Sequence, residues 1–149
     1  MPSITIADCI CYFTGKSFRH MLGCYGPPLA PYDLTVSQLF VLLTLYETDD
    51  VTPNKLLDQL ALSASTLTGI LGRLEKRGLL TRNVNLNDRR SIVVSLTEKA
   101  KSLKNELRSV YAKVNDNFRS ALSKEECETL EALLDRLGAH ARKMNSQGL

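Results

Sequence analysis

Between Thr52 and Thr97 the chain carries two capped helical runs and then two short alternating runs, an order that few folds accommodate. Thr52-Pro53 sets an N-cap followed by proline at the first helical position, where the missing N–H is no loss. Leu56, Leu57 and Leu60 follow at helical spacing. Ser63 is the next N-cap, and the run behind it puts Leu67, Ile70, Leu71 and Leu74 on one face, up to Gly78. A glycine there suits the left-handed residue that closes many helices. Two helices joined at Leu62-Ser63 make a helix-turn-helix. Leu80 to Val84 then alternates apolar and polar residues, and Ser91 to Leu96 does so approximately. The polar segment 85–90 is a hairpin tip too long for a two-residue turn. A hairpin directly after a helix-turn-helix is the wing of a winged helix.

The flanks read as helices. Residues 4–24 form a first helix with Ile6, Ile10, Phe13, Ser17 and Met21 along it, followed by a breaker-rich connection through Gly23, Gly26, Pro27, Pro28 and Pro31. Thr35 and Gln38 match a capping box for an apolar core helix from Leu39 to Tyr46. Thr97 caps one long helix bearing Leu103, Leu107, Val110, Val114 and Phe118. Ser123 and Glu126 cap the last helix, with Leu130, Leu133, Leu134, Leu137 and Ala141. With the winged part closed, these last two stripes need cover, and a second copy of the chain is the economical answer. The expected fold is mainly α with a small β-hairpin. Residues 35–97 make the winged helix-turn-helix region, and 1–34 plus 98–149 a helical dimerisation region from both termini, all one intertwined domain.

Charge distribution bears on the partner. Residues 51–97 hold seven basic and three acidic groups, net +4, whereas residues 1–50 are net −3. The basic third coincides with the helix-turn-helix and wing, as expected if that face meets a polyanion. No apolar run is long enough to cross a bilayer, and no leader-like N-terminus precedes the fold, so no membrane association and a cytoplasmic location are expected. The four cysteines, Cys9, Cys11, Cys24 and Cys127, are then thiols.

The run Leu62-Ser63-Ala64-Ser65-Thr66-Leu67-Thr68, then Leu74-Glu75-Lys76-Arg77-Gly78-Leu79-Leu80, Asp88-Arg89-Arg90-Ser91-Ile92 and Leu96-Thr97-Glu98-Lys99-Ala100, resembles the MarR family of multiple antibiotic resistance regulators. The resemblance covers nearly the whole chain. It implies a triangular homodimer in which the first and last two helices interlock and a winged lobe stands at each lower corner. It also implies a bacterial transcriptional regulator, a repressor that binds a pseudo-palindromic double-stranded operator and is released by a small ligand or by thiol oxidation.

The helix from Ser63 to Gly78 would then be the recognition helix. Ser63, Ser65, Thr66 and Thr68 offer short hydroxyls suited to phosphate or base edges, and Gly69 thins the helix for close approach. Arg73, one turn beyond Gly69, is placed for a phosphate or a guanine. In the wing, the resemblance makes Arg90 the arginine that enters the minor groove, with Asp88 holding its guanidinium, and the alternative is a turn-stabilising pair. Arg82 and Arg89 are expected on phosphates.

Cys11, eight residues before Arg19 and fourteen before Tyr25, resembles the sensor of the organic hydroperoxide-sensing branch, where a tyrosine at the Tyr25 position hydrogen-bonds the thiol. Two further tyrosine positions of that branch are Gly15 and Val36 here. Cys11 is thus either a redox sensor or a small buried apolar residue, and the effector either an organic hydroperoxide or a small aromatic ligand. Cys9, Cys11, His20 and Cys24 are metal-ligand types, but Cys9 and Cys11 point to opposite sides of a helix, so no metal is expected. No catalytic constellation accompanies them, so no enzyme activity and no cofactor are expected. The rival reading is a winged-helix protein-interaction module without specific DNA binding.

Overall fold

A computed structural model describes residues 5–85, 88 and 90–148. Thr5 donates from its backbone N–H and its hydroxyl to the Asp8 carboxylate, closing a 3-10 turn over Ile6–Asp8. Cys9 is extended, so helix α1 runs Ile10–Gly23 and starts later than the uninterrupted helix expected from residue 4. The proline-rich connection is helical too: α2 is Gly26–Leu29 and a 3-10 turn covers Ala30–Tyr32. Its prolines lie in first turns, where no intrahelical N–H bond is lost. Burial of Leu29 fixes the connection to the core.

Helix α3 spans Val36–Glu47, opened by the expected Thr35–Gln38 box: Gln38 N–H donates to Thr35 Oγ1 at 3.3 Å, and Thr35 N–H to Gln38 Oε1 at 2.8 Å. Leu39, Val41, Leu42 and Leu45 are fully buried along it. Helices α4 (Pro53–Leu60) and α5 (Ala64–Lys76) follow, capped by Thr52 and Ser63 as the sequence predicts. Ala61, left-handed at φ 50°, turns the chain between them. Gly78, at φ 67°, ends α5 in the left-handed region that glycine adopts without a Cβ clash.

Strands β1 (Leu80–Val84) and β2 (Ile92–Leu96) pair antiparallel, with Leu80 opposite Leu96 and Val84 opposite Ile92. Ser91, expected in the second strand, belongs to the turn: its N–H and hydroxyl both donate to the Asp88 carbonyl. Val51 adds a bridge to Val94, with N–H bonds in both directions.

The single helix expected after Thr97 is two. Helix α6 is Glu98–Ser102 and α7 is Lys104–Arg119. The buried Tyr46 phenol donates to the Ala100 carbonyl at 2.6 Å, and the Leu103 N–H closes a tight three-residue turn on the same carbonyl. Helix α8 spans Lys124–Gln147 behind the Ser123–Glu126 box. The chain forms two compact units, the first ending at Tyr111 and the second beginning at Ala112, both within α7. Among the described residues no single helix is long and apolar enough to cross a membrane.

Burial pushes the Tyr46 phenol up to about 12, with Arg108 opposing weakly. An acid group raised on folding stabilises the fold fully below its unfolded value near 10 and loses that contribution as pH climbs to about 12. Tyr46→Phe should cost about 0.5–1.5 kcal/mol at neutral pH, the scale of one hydrogen bond. It should also flatten the loss of stability between pH 10 and 12, as chemical denaturation across that range would show.

Candidate nucleic-acid interface

Helix α5 presents two faces. Leu67, Ile70, Leu71 and Leu74 are at most 3% exposed, so the helix cannot rotate without bringing apolar surface into water. The opposite side carries Ser63, Ser65, Thr66, Thr68 and Arg73, all exposed, with Gly69 half-buried between them. This side bears no large apolar residue and faces solvent.

The hydroxyls are held within the helix start. Ser63 Oγ accepts the Thr66 N–H at 3.2 Å and lies 2.7 Å from Thr66 Oγ1 and 3.1 Å from Ser65 Oγ. Thr68 Oγ1 donates back to the Ala64 carbonyl at 2.8 Å. Arg73 curls the same way, Nε donating to the Gly69 carbonyl at 3.1 Å. These groups present their polar atoms at the surface, and a rotamer change re-aims each donor.

Arg82 and Glu75 form an ion pair across β1 and α5, Nε to Oε2 3.2 Å, so this arginine is engaged with a carboxylate. At the wing tip Asp88 plays a different part from the one expected. Its Oδ1 accepts the Arg90 backbone N–H at 3.1 Å, and among the described residues no ion pair joins the two side chains. An aspartate readily caps the backbone two residues on, so it fixes the turn and leaves the Arg90 guanidinium outside it. Arg90 is exposed. Arg89, expected on a phosphate, lies outside the described residues.

Sequence reasoning missed what braces the wing from behind. Asp50, left-handed at φ 57°, accepts the Ser95 hydroxyl, and Asn83 Nδ2 donates to Ser95 Oγ at 3.2 Å. Asp49 Oδ1 accepts the Leu96 N–H at 2.9 Å. Only the run of acidic residues after α3 hinted at these caps. Cys9, Cys11 and Cys24 are exposed and Cys127 is buried. Tyr25 is buried edge-to-face on Phe40 at 5.9 Å. Desolvation, then Tyr111 and Cys24, push the ionisation of its phenol to higher pH than usual. Among the described residues no group of three or more His, Cys, Asp or Glu side chains is placed to hold a metal ion.

A helix-turn-helix with its polar face outward and a braced wing beside it invites comparison with known proteins. The MarR family model matches residues 34–92, from the turn before α3 to the start of β2. The organic hydroperoxide resistance transcriptional regulator of Bacillus subtilis is 34% identical over 128 residues, 86% of this chain and 84% of that protein. The chain belongs to the MarR family. Its relatives are transcriptional regulators. The fold agrees: a probable transcriptional regulator from Pseudomonas aeruginosa superposes with a TM-score of 0.80 at 28% identity, covering 89% of this chain and 99% of that one. A MarR variant from E. coli, solved with operator DNA, superposes at 0.80 and 25% identity, covering 91% and 99%.

The wing geometry gives a direct test. Arg90→Ala should weaken duplex binding by about 1–3 kcal/mol, the scale of a base-directed contact, while thermal stability stays put because the side chain is exposed. Unchanged affinity at fixed salt would remove Arg90 from the interface.

Proposed function

We propose that this MarR-family regulator is a cytoplasmic repressor that binds a pseudo-palindromic double-stranded operator as a homodimer. The observation that carries the reading is the outward polar face of α5 beside the wing, in a chain whose structural relative is solved on operator DNA. The helix start, with Ser63, Ser65, Thr66, Thr68 and Gly69, enters the major groove, where short hydroxyls donate to phosphates and base edges. Arg73 reaches a backbone or guanine once it lets go of the Gly69 carbonyl. Arg90 enters the adjacent minor groove, aimed by the turn that Asp88 caps. Arg89 and Arg82 supply phosphate contacts, Arg82 by exchanging Glu75 for the DNA backbone.

The second copy is argued from apolar surface. In the first unit Ile6, Ile10, Phe13, Phe18 and Met21 are 42–67% exposed. In the second, Leu130, Leu133, Leu134, Leu137 and Met144 are 41–46% exposed along one helix. Exposed apolar runs at helical spacing are a cost to a monomer, and a second copy removes them from water. The region 1–34 plus 98–149 supplies this interface, and 35–97 the DNA-binding region.

Release is assigned to Cys11. It is exposed in the first turn of α1, and the Bacillus subtilis relative is named for organic hydroperoxide resistance. The thiolate attacks the terminal peroxide oxygen, an S–O bond forming as the O–O bond breaks, and the departing alkoxide takes a proton from water, giving a sulfenic acid, the alcohol and hydroxide. A small thiol then condenses with the sulfenic acid to a mixed disulfide and water. Tyr25 is the donor expected to orient the sulfur. The competing trigger is a small aromatic ligand in the same region.

Three outcomes check this. Leu130→Glu with Leu134→Glu should convert a dimer to monomer or aggregate by light scattering, and a native, well-folded monomer of the unaltered chain would contradict the dimer. A fluorescent duplex from the promoter of its own operon should bind in a ratio of two chains per duplex, and sequence-independent binding alone would favour the interaction-module reading. Organic hydroperoxide should release the wild-type complex and leave Cys11→Ser bound; equal release of both, or of neither, points to the aromatic ligand.

A further inference from the structure

The C-terminal end of α5 is tied into the fold by a set of contacts that the DNA-reading face does not use. Arg77 is one of the seven basic residues between 51 and 97, yet its half-buried guanidinium is engaged by the protein's own turn. Nη1 donates to the Asp33 carbonyl, Nη2 donates to the Tyr32 carbonyl at 2.7 Å, and Nη2 lies 3.5 Å from the Asp33 carboxylate. All three acceptors belong to one turn, which Asp33 closes in the left-handed region at φ 50°. The same turn continues outward through the Tyr32 side chain, whose hydroxyl donates to Glu106 Oε2 on α7 at 2.9 Å. Tyr32 therefore holds α5 with its backbone and α7 with its phenol. The backbone side of the α5 end is gripped as well: Lys99 Nζ donates to the Arg77 carbonyl at 2.9 Å, and Thr97 Oγ1 to the Gly78 carbonyl at 2.7 Å.

We infer that Arg77 and Tyr32 are positioning residues: a two-residue relay that sets the pitch of α5 against α7, and through it the half-site spacing the dimer accepts. The step from pitch to spacing rests on the DNA-binding reading above. The physical reason for an arginine is its planar fork, which engages two carbonyls of one turn at once; a point cation or a neutral amide cannot hold both in the same plane. The buried leucines of α5 resist rotation about the helix axis, whereas a tilt of the helix, which displaces its reading start, is also opposed by the polar contacts at its C-terminal end. That end is where Arg77 sits. A swing of α5 moves its reading face relative to its counterpart in the second copy, and half-sites lie at a fixed repeat of about one helical turn, so discrimination between spacings reports the relay directly.

The experiment uses the full-length chain and a duplex selected from a randomised pool, then versions with one base pair added or removed between half-sites. Arg77→Gln and Tyr32→Phe are compared with wild type. The relay predicts that both variants lose at least about fivefold of the wild-type preference for the selected spacing. It also predicts that the Arg77→Gln salt slope stays at the wild-type value, because no phosphate contact is lost, whereas a phosphate-binding arginine would lower it by about one. Wild-type spacing preference in Tyr32→Phe, or a salt slope lowered in Arg77→Gln, overturns the proposal. Hydrogen exchange on the free protein keeps the two readings separate. Tyr32→Phe, a one-atom change that leaves the packing intact, should speed exchange of the amides at 74–78, and unchanged protection there overturns the relay whatever the DNA result. If wild type selects no duplex, the DNA-binding reading fails and the exchange arm still decides whether Tyr32 holds α5.

Discussion

Every functional feature of the winged region depends on the apolar face of α5 staying buried. Leu67, Ile70, Leu71 and Leu74 sit on one side of a thirteen-residue helix and contact the core that α3 organises. Full burial of a leucine or isoleucine contributes about 1.5–3 kcal/mol relative to exposure, so rotating these four side chains into water would cost about 6–12 kcal/mol, comparable to the whole stability of a small domain. That cost fixes which residues face outward. The serines and threonines of the helix start are at the surface because the leucines cannot be. The wing inherits its position from the same core through Leu80, Val94 and Leu96, all at most 8% exposed, and through the bridge between Val51 and Val94.

The positive charge of the winged region is divided among different partners. The net +4 of residues 51–97 reads as a single basic face in the sequence, but the structure sorts its members. Arg77 holds a turn, Arg82 pairs with Glu75, and Arg73 folds back on its own helix. Exposed ion pairs of this kind contribute little to stability and exchange readily for a phosphate. Arg82 and Arg73 are thus parked at modest cost, whereas Arg77, with two carbonyls and a carboxylate, is committed. Counting arginines overstates the DNA-facing charge, and partner geometry corrects it.

What could be read from the sequence was local and capped. Thr35, Thr52, Ser63, Thr97 and Ser123 all open helices, because an N-cap is a short-range bond between a hydroxyl and an amide three residues on. Gly78 and the two strands were legible for similar reasons. The interruption at Leu103 was not, since the Ala100 carbonyl on which it turns is also bound by a tyrosine 54 residues away. The spacing of Asp88 and Arg90 fits either a guanidinium partner or a backbone cap, and the structure shows the backbone cap, a choice between acceptor geometries that spacing alone does not make. The ties of Asp50 to Ser95 and of Arg77 to Tyr32 cross between elements and left no periodic trace. The helices around the prolines are not legible in the sequence, because the same residue breaks a helix interior and suits a first turn.

The proposed binding mode puts α5 in the major groove of two successive half-sites and the wing in the minor groove beside each. Chemical footprinting of the full-length protein on its selected duplex tests this most directly. The predicted pattern is two major-groove protections centred about one helical turn apart, each flanked by a minor-groove protection that disappears in Arg90→Ala. Protection that is uniform along the duplex, or confined to the phosphates with no groove-specific footprint, would contradict it.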